Sequence, residues 1–347
     1  MKAHVLKAIG DIQYQEVLTP APKPGEVLVK VQAAGICGSD LPRVFETGAH
    51  NMPLIPGHEF SGIVQEIGEG AEAGWIGKRV GVFPLIPCKD CVKCHCGHYE
   101  LCSHYDYLGS RRNGGFAEYV TVPAWNLIEL PDTVSFEEGA MLEPLAVGIH
   151  ALRLVGEIPK NAKAAICGLG PIGLLLAMVL KAEGFENIYV IGNKDHQKKL
   201  AEKIGIPSDC IFDNRREDAA NFLAEAGGMD LFFECVGRKE SLQLAINAAA
   251  PLGKVVLVGN PHSDMPLPKD IYWKILRKQL CVYGSWNSAF GTGEQDDWHH
   301  ALRLLKEGKL LPADLITHRV SLDGLKQALC MMRDKSEDYS KVMVSMG

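Results

Sequence analysis

The pattern of apolar and polar positions changes in character about a third of the way along the chain. In the first third, short runs rich in β-branched residues are interrupted by Gly and Pro, which is typical of short strands joined by turns. The predicted strands cover residues 26–31, 62–67, 79–83 and 116–122. A helical pattern follows over residues 135–141 and 144–154, and Ser135 stands three residues before Glu138, as in a capping box. The pattern therefore predicts an irregular, mostly β domain that leads into a helical connection.

From residue 164 onward, strand-like and helix-like segments alternate. The predicted strands cover residues 164–167, 188–191, 231–235, 255–258 and 280–283. The predicted helices cover residues 171–183, 196–204 and 241–249. Alternation at this spacing predicts βαβ crossovers and a doubly wound parallel sheet, so the fold class is α/β with a second, mostly β domain. A later helix at 298–306 and a strand at 341–345 are expected to return to the first domain.

Composition excludes several classes of protein. The chain has 347 residues, more than one hydrophobic core usually serves, so two domains are expected. A net charge of −6, with Lys and Arg scattered, argues against nucleic-acid binding. The amino terminus lacks a signal-peptide pattern, and the longest apolar run, 172–180, is far shorter than the roughly 20 residues of a membrane span. We expect a soluble, cytoplasmic protein with a small-molecule partner and no membrane association.

A glycine fingerprint lies between the strand predicted at 164–167 and the helix that follows it. Its residues are Gly168, Leu169, Gly170, Pro171, Ile172 and Gly173. In such a motif the first glycine permits a tight turn, the second lets the backbone approach a pyrophosphate, and the third lets helix and strand pack closely. A glycine-rich turn without a ligand is the alternative, and the βαβ setting disfavours it. We predict a nicotinamide dinucleotide site.

The choice between the two nicotinamide cofactors depends on the end of the second strand of this domain. NAD-selective sites carry an Asp or Glu there that binds the ribose hydroxyls. This chain has Gly192 at that position, followed by Asn193 and Lys194, a combination that suits a 2′-phosphate. Asp195 could still serve as the ribose acid if the turn is longer. The sequence leaves both NAD(H) and NADP(H) open.

Four of the eleven cysteines stand close together in one loop. They are Cys88, Cys91, Cys94 and Cys102, with the spacing C-x2-C-x2-C-x7-C. Disulfides are rare in cytosolic proteins, whereas four thiolates at this spacing are typical of a closed tetrahedral zinc site. Such a site holds a lobe folded and leaves no position for a substrate. We predict a structural zinc ion here and treat His95, Cys96 and His98 as bystanders.

Three further potential metal ligands are dispersed along the sequence. Cys37 lies in G-I-C-G-S-D, His58 in P-G-H-E and Glu143 in L-E-P. Thiolate, imidazole and carboxylate groups leave a fourth zinc coordination position for water or substrate, which is the pattern of a catalytic site. Each residue also has a structural interpretation: a buried thiol, a hydrogen-bonded loop histidine, and an acid in the first turn of a helix. Spacing alone does not decide between the two interpretations.

Together these motifs resemble the zinc-containing medium-chain alcohol dehydrogenases, and the resemblance extends over essentially the whole chain. It rests on residues 35–40, 57–59, 114–119 and 168–173 together with the four-cysteine lobe. The resemblance implies a GroES-like, mostly β catalytic domain made from both ends of the chain, residues 1–145 and 290–347. It also implies an inserted Rossmann domain, residues 146–289, that binds the nicotinamide cofactor.

The same resemblance implies a catalytic zinc ion in addition to the structural one. Cys37, His58 and Glu143 resemble its protein ligands. Glu59 resembles the neighbouring acid that binds the zinc directly or through water. The zinc would polarise the substrate oxygen while the nicotinamide exchanges hydride with the adjacent carbon.

Two residues next to these ligands resemble the family's supporting groups. Asp40 corresponds to the acid that orients His58, and Ser39 to the hydroxyl that passes the substrate proton outward. Many relatives have a His where this chain has Pro42, so the outer end of the proton relay is not identified.

Several loops are similar to those of family members that act on hexitol phosphates. These loops are residues 41–43, 48–50, 109–115 and 284–286. The candidate substrate residues are Arg43, His50, Arg111 and Arg112. The resemblance implies a polyol phosphate whose anionic group is bound by guanidinium groups, although adjacent arginines are also common as solvated loop charges. Gly284 favours a phosphorylated substrate over a free polyol, since free-polyol dehydrogenases of the sorbitol type carry an Arg for substrate in this region.

Two alternatives to a polyol-phosphate enzyme stay open. The first is a dehydrogenase of a free polyol or of another secondary alcohol. The second is a non-catalytic binding protein on the same fold. The resemblance also implies a homodimer or homotetramer.

Overall fold

The computed structural model describes residues 1–215, 219–291, 293 and 295–346. The described chain forms two compact units, one made of Met1–Ala146 with the segment from Ala289 onward and the other of Val147–Ser288. Residue 347, with which the predicted GroES-like domain ends, lies outside the described residues.

The first unit begins with a β-rich segment that includes three short helices. Its strands are β1 Lys2–Ala8, β2 Asp11–Glu16, β3 Glu26–Ile36, β4 Glu59–Ile67, β5 Arg79–Val82, β6 Leu85–Ile86, β7 Asp106–Tyr107, β8 Tyr119–Pro123 and β9 Leu127–Glu129. Its helices are α1 Asp40–Phe45, α2 Val92–His95 and α3 Phe136–Ala140. Helix α3 has the predicted capping box, in which Ser135 Oγ accepts from Glu138 N at 3.2 Å and Glu138 Oε2 accepts from Ser135 N at 2.8 Å.

Helix α4, Leu142–Arg153, carries the chain from the first unit into the second. The strands of the second unit are β10 Lys163–Cys167, β11 Asn187–Gly192, β12 Ile211–Asp213, β13 Met229–Glu234, β14 Ala249–Leu257 and β15 Cys281–Gly284. Its helices are α5 Pro171–Ala182, α6 Asp195–Ile204, α7 Ala219–Glu225, α8 Lys239–Ala248 and α9 Lys269–Lys278.

The second unit contains a six-stranded sheet in the order β12-β11-β10-β13-β14-β15, and each neighbouring pair is parallel. The predicted doubly wound parallel sheet is therefore confirmed. The strand order reverses beside β10, which is the point where open α/β sheets bind ligands at the carboxyl ends of their strands.

The remaining elements return to the first unit, as the pattern of the carboxyl-terminal part predicts. They are α10 Asp297–Lys306, β16 Ile316–Ser321, α11 Leu325–Asp334 and β17 Lys341–Ser345. Strand β17 pairs antiparallel with β3 and parallel with β16 in a sheet of order β16-β17-β3-β4-β5-β9, with β8 also on β3. Residues from opposite ends of the sequence therefore share one sheet.

Each unit has its own hydrophobic core. Side chains from β1, β3, β4, β5 and β8 pack with α11 in the first unit, and Phe60 and Phe116 are among its buried residues. In the second unit, Phe232 and Val255 are buried with residues of α7 and α8. Within the described ranges, no helix combines the length and apolarity that a membrane crossing requires.

One predicted strand is shorter than expected for a packing reason. The pattern indicates a strand from residue 116, but β8 begins at Tyr119. The N–H of Phe116 instead donates to the carbonyl of Pro56 at 3.0 Å, and the N–H of Gly115 donates to that of Gly57 at 2.8 Å. The segment before β8 is therefore held against the loop that precedes β4.

Candidate metal centres and cofactor site

The four cysteines of the lobe form a compact cluster of sulfur atoms, all within 4.8 Å of one another. The Sγ atom of Cys88 lies 3.4 Å from that of Cys102 and 3.9 Å from that of Cys94. Cys91 Sγ lies 3.9 Å from Cys102 Sγ. A tetrahedron of thiolates with Zn–S bonds of about 2.3 Å has edges of about 3.8 Å. The lobe therefore fits a closed tetrahedral zinc ion.

The lobe already stabilises one thiolate without a metal. The backbone N–H groups of Cys94 and Ser103 lower the pKa of the Cys91 thiol to about 5. Burial raises the pKa of Cys94 to about 12, so this thiol needs a nearby cation to ionise. His98 pairs with Glu100 at 3.0 Å, and Cys96 is exposed, so neither joins the cluster.

A second cluster forms where β3 and β4 pair. Cys37 directly follows β3, and His58 and Glu59 stand at the start of β4, where Glu59 is the register partner of Gly35. One potential ligand atom from each of Cys37, His58 and Glu59 lies within 4.8 Å of the others. Nδ1 of His58 is buried and has no hydrogen-bond partner among the described residues. This donor set fits a divalent zinc ion.

Glu143 lies outside that group of three but is linked to it by Tyr107. It is 7% exposed in the first turn of α4, and its Oε1 accepts from the Tyr107 hydroxyl at 3.4 Å. The Tyr107 ring meets the His58 ring edge-on, with centroids 5.9 Å apart. Burial raises the pKa of Glu143 to about 7, although nearby His58 opposes the shift. A cation bound beside it would favour the ionised carboxylate.

Asp40 organises the loop of Cys37 more directly than it orients His58. Its side chain is fully buried; Oδ2 accepts from the N–H of Cys37 at 3.0 Å, and Oδ1 accepts from Arg43 at 2.5 Å. Oδ1 also lies 3.6 Å from Nδ1 of His58, beyond an ordinary hydrogen bond. The Ser39 hydroxyl donates to the sulfur of Cys37 at 3.3 Å. Ser39 thus lies beside the candidate metal position.

The carboxylate of Glu59 has a buried cationic partner that no motif indicates. Lys341, the first residue of β17, forms an ion pair with Glu59, and both side chains are 2% exposed. The ammonium also donates to the carbonyl of Ile36 at 3.2 Å. Burial opposes the charged form of Lys341, but the charges of Glu59 and then Cys37 outweigh it and raise the pKa. Strand β17 therefore delivers a stable positive charge to the cluster.

The loop that carries Arg111 and Arg112 packs on the segment before His58. Asn113 Oδ1 accepts from the N–H of Ile55 at 3.0 Å, and the N–H of Gly114 donates to the carbonyl of Ile55 at 2.7 Å. Asn51 donates to the carbonyl of Arg111 at 3.1 Å. The loop that carries the exposed residue His50 is therefore hydrogen-bonded to the loop that carries Arg111.

The three candidate arginines differ in their partners. Arg43 is paired with buried Asp40, and Arg112 donates to Glu26 Oε1 at 2.7 Å. The guanidinium of Arg111 lies over the ring of Tyr105, 4.5 Å from its centre. No carboxylate within the described part of the chain pairs with Arg111, so its hydrogen-bonding groups are available to an anion.

The glycine fingerprint has the geometry of a phosphate cradle. Gly168, directly after β10, has φ +102°, and a Cβ there would lie 2.8 Å from a methyl carbon of Val236. A Cβ on Gly173 would overlap the carbonyl oxygen of Gly168. Gly170 precedes α5, and apart from its neighbours in the chain no atom of the described residues lies within 4 Å of the point where its Cβ would stand. The turn, the close packing and the open approach to the helix amino terminus all fit a pyrophosphate.

The space beside Gly192, at the end of β11, is narrow because Leu169 of the fingerprint packs against it. A Cβ at this position would lie 2.8 Å from Cδ1 of Leu169. A ribose-binding acid at position 192 would therefore need the Leu169 side chain to shift. Asn193 beyond it is exposed, and Lys194 is the N-cap of α6.

An ion-pair network lies beside Gly192, at the end of β12. Gly192 is the register partner of Asp213, whose carboxylate accepts from Arg215 Nε at 2.9 Å and Nη2 at 2.6 Å. Asp195 accepts from the same Arg215 Nη2 at 3.0 Å and pairs with Lys198 at 2.9 Å. Lys198 also pairs with Asp213 at 2.7 Å. The carboxylate of Asp195 is thus already bound by two cations.

Comparison with known proteins identifies the family. The alcohol dehydrogenase GroES-like domain matches residues 23–132, and the zinc-binding dehydrogenase family matches residues 171–307. Galactitol 1-phosphate 5-dehydrogenase of Escherichia coli is 38% identical over 333 residues, which cover 95% of each chain. The chain belongs to the zinc-containing medium-chain alcohol dehydrogenases.

Solved structures agree with this assignment. The crystal structure of galactitol-1-phosphate dehydrogenase from Escherichia coli is similar to this one, with a TM-score of 0.92 and 36% sequence identity. The match covers 99% of this chain and 100% of that chain. A zinc-binding dehydrogenase from Sinorhizobium meliloti bound to NADP has a TM-score of 0.89 and 31% identity. The match covers 99% of this chain and 98% of that chain. The protein is an NAD(P)-dependent oxidoreductase with a GroES-like unit and a Rossmann-type sheet.

Sequence reasoning misses three residues that the fold of this medium-chain dehydrogenase brings to its candidate sites. Tyr107 gives no local signal, because its position beside Glu143 depends on contacts distant in sequence. Lys341 is detectable as a lysine that opens an otherwise apolar strand, K-V-M-V. Arg215 is detectable as a cation two residues after the acid that ends β12.

Proposed function

We propose that this dehydrogenase transfers hydride between a secondary hydroxyl of a polyol phosphate, galactitol 1-phosphate or a close analogue, and a nicotinamide cofactor. The observation that carries the proposal is Arg111, a guanidinium without a carboxylate partner in the described chain, on a loop packed against the segment before His58. Arginine presents paired donors that match phosphate oxygens. The relative from Escherichia coli that acts on galactitol 1-phosphate supports the same substrate class.

The other candidate substrate residues have secondary roles in this proposal. Arg43 and Arg112 are engaged by Asp40 and Glu26, so binding a phosphate would cost them these partners. His50 is exposed on the adjoining loop and can add a second donor to the anion. We therefore assign the phosphate to Arg111 with His50.

Cys37, His58 and Glu59, whose ligand atoms lie within 4.8 Å of one another, would hold the catalytic zinc, and Glu143, hydrogen-bonded to Tyr107, would add a further carboxylate ligand. Such an ion supplies Lewis acidity that lowers the pKa of the substrate hydroxyl, and the cofactor supplies the hydride acceptor or donor. Ser39, hydrogen-bonded to Cys37, would take up the hydroxyl proton and release it to solvent. Asp40 keeps the Cys37 loop in place through its backbone N–H.

The four-cysteine lobe would hold a second zinc ion with a structural role. Its four sulfur atoms lie within 4.8 Å of one another and would occupy all four positions of a tetrahedral zinc ion, which leaves no position for substrate. Ligand binding in such lobes is coupled to folding.

For the cofactor, we infer that the enzyme accepts NADP(H). Leu169 occupies the space that an acidic residue at position 192 would need. Asp195, the alternative ribose acid, is bound by Lys198 and Arg215. Arg215 is 44% exposed beside Gly192, where a 2′-phosphate would lie in a site of this type, and the phosphate would share its guanidinium with Asp213 and Asp195.

We also propose that the protein self-associates through the edge strand β15. Its neighbour on one side is β14, and Val282 is 43% exposed. Tyr272 and Trp273 on α9 and Trp286 after β15 are each more than half exposed. An open strand edge flanked by apolar side chains is suited to antiparallel pairing with a second copy about a two-fold axis.

A substrate panel tests the proposed function. Galactitol 1-phosphate, sorbitol 6-phosphate and the corresponding free hexitols are each measured with NAD and with NADP. We expect higher kcat/KM for a hexitol phosphate than for its free hexitol. Arg111→Gln should raise KM for the phosphate by roughly ten-fold to a hundred-fold, the cost of a charge-assisted hydrogen bond. Arg303→Gln, which removes an exposed guanidinium on α10, is the matched control.

Equal efficiency on galactitol and its phosphate would contradict the phosphate assignment. The enzyme would then be a free-polyol dehydrogenase. An unchanged KM in Arg111→Gln, with the phosphate still preferred, would move the phosphate site elsewhere in the protein.

A further inference from the structure

A buried carboxylate that the proposed reaction does not use lies at the carboxyl end of β13. Glu234 is the last residue of this strand and is 1% exposed. Its Oε1 atom accepts from the backbone N–H groups of Val236 at 2.7 Å and of Gly237 at 2.8 Å. Among the described residues, no cationic side chain pairs with Glu234. These two N–H groups therefore offset the cost of burying the carboxylate.

The two N–H groups belong to the turn that follows β13. Successive N–H groups that converge on one oxygen form a concave site for an anion. Gly237 has φ +74°, and a Cβ there would overlap the carbonyl oxygen of Asn260. The main-chain carbonyl of Glu234 also accepts from the N–H groups of Val258 at 2.8 Å and of Gly259 at 2.9 Å. Glu234 therefore fixes the turn after β13 with its side chain and the turn after β14 with its backbone.

The turn after β13 lies directly against the glycine fingerprint. Strand β13 is the neighbour of β10, with Glu234 opposite Cys167, and the N–H of Cys235 donates to the carbonyl of Cys167 at 2.8 Å. A Cβ on Gly168 would lie 2.8 Å from Cγ2 of Val236 and 3.1 Å from the carbonyl oxygen of Cys235. The position of the turn after β13 therefore limits the path that the fingerprint turn can take.

These two turns stand at the place where the strand order of the parallel sheet reverses, between β10 and β13. A dinucleotide bound to a sheet of this kind lies across the crevice at that place, with one mononucleotide on each half of the sheet. The adenine half would lie on the side of β10, β11 and β12. The nicotinamide half would lie on the side of β13, where the turn held by Glu234 forms the wall of the crevice.

We propose that Glu234 is a positioning residue of the cofactor site: its carboxylate holds residues 235–237 where they brace Gly168 and form the wall for the nicotinamide half. The inference rests on the proposed cofactor site and does not depend on the polyol phosphate. It predicts that loss of the carboxylate weakens the binding of a whole dinucleotide more than the binding of its adenine half.

The test measures dissociation constants of the whole protein by isothermal titration calorimetry. The ligands are NADPH and NADH and their adenine halves, adenosine 2′,5′-bisphosphate and AMP. In Glu234→Leu, which removes both hydrogen bonds, the affinity for each dinucleotide should fall by about ten-fold or more, while the affinity for the adenine halves should stay within about three-fold. Glu234→Gln keeps an acceptor oxygen and loses the charge, so its affinities should lie between those of Glu234→Leu and wild type.

Asp230→Asn is the matched control. Asp230 is an exposed carboxylate near the amino end of the same strand, and it accepts from the N–H of Lys163 at 2.9 Å. This variant changes a carboxylate that binds a backbone N–H, but at the end of β13 opposite to the fingerprint. It should bind all four ligands with wild-type affinity.

A second variant moves the same turn without removing a charge. The methyl group of Gly237→Ala would overlap the carbonyl of Asn260, so the turn must shift, and the dinucleotides should again lose more affinity than the adenine halves. The inference is overturned if Glu234→Leu and Gly237→Ala bind both dinucleotides as wild type does.

Two other results would also overturn it. If the adenine halves lose as much affinity as the dinucleotides, or if the Glu234 variants fail to fold while Asp230→Asn folds, Glu234 stabilises the Val147–Ser288 unit as a whole. A wild-type protein that binds neither dinucleotide would instead refute the proposed cofactor site itself.

Discussion

The hydroxyl of Tyr107 donates to the carboxylate of Glu143 while its ring meets the ring of His58 edge-on. One tyrosine thus contacts two of the proposed zinc ligands. A group that orients a ligand from outside the metal sphere commonly contributes about ten-fold to a hundred-fold in metal affinity or activity.

For this reason Tyr107→Phe should weaken retention of the proposed catalytic zinc by about ten-fold, since the ring stays and only the hydroxyl is lost. Dialysis against increasing chelator, with zinc measured by atomic spectroscopy, checks the shift. Tyr105→Phe is the control, because it removes a nearby hydroxyl and keeps the ring under Arg111. Equal zinc retention in Tyr107→Phe and wild type would mean that the hydroxyl does not support Glu143.

Cys37→Ser and His58→Ala should each abolish turnover and reduce zinc from about two ions to about one per chain. The fold should persist, because the core of the first unit consists of apolar residues on its strands and on α11. Circular dichroism and zinc content are measured on the same samples. Global unfolding of both variants would show that the metal stabilises the fold as a whole.

Cys91→Ser should disrupt the fold of the four-cysteine lobe and should not act directly on hydride transfer. Removing one of four tetrahedral ligands uncouples the lobe from its metal, so the segment 88–102 should become accessible to protease. Limited proteolysis followed by mass spectrometry locates the cuts. Cys96→Ser is the control in the same lobe, since Cys96 is exposed and outside the sulfur cluster. A lobe that resists protease equally in Cys91→Ser and wild type would refute the structural zinc.

Arg215→Ala should reduce NADPH affinity by roughly ten-fold or more and leave NADH affinity within about three-fold of wild type, because only NADPH carries the 2′-phosphate. Cofactor fluorescence titration measures both constants. Lys199→Ala, an exposed cation on α6, is the matched control. A wild-type preference for NADH of several hundred-fold, about 3.5 kcal/mol, would contradict the NADP(H) assignment.

Val282→Lys should lower the molecular mass measured by sedimentation, since a charge on the open edge of β15 opposes strand pairing with a second copy. Ile76→Lys is the control: Ile76 is 56% exposed and belongs to the first unit, not to the unit that contains β15. If the Val282→Lys protein keeps the wild-type mass at low micromolar concentration, the proposed interface is wrong.

The predictability of each feature follows from how far apart its residues lie in the sequence. The alternating elements of the parallel sheet, the Ser135 capping box and the strand character of β17 have local patterns, and the structure confirms them. The cysteine spacing and the glycine fingerprint are likewise visible within about fifteen residues. These features can be inferred because the residues that determine each of them are close together in the sequence.

Other features depend on pairings that no local pattern records. Lys341 and Glu59 meet because β17 and β4 both flank β3, a consequence of strand order. The same limit applies to Arg43, which resembles a phosphate ligand in sequence but is paired with Asp40 one turn away. The partner of a charged side chain is decided by tertiary packing, so motifs alone assign it poorly.

The position of β17 in the sheet also affects the order in which parts of the chain can fold during synthesis. Ile36 and Lys341 are 305 positions apart, so the ribosome completes the whole Val147–Ser288 unit while residues 33–36 at the end of β3 are still without β17 as their partner. An open strand edge on a nascent chain is a site for mispairing. The Val147–Ser288 unit can fold first, whereas the first unit must wait for its last strand. A polypeptide released after residue 288 but before residue 341 would therefore contain the whole parallel-sheet unit but lack the lysine that pairs with Glu59.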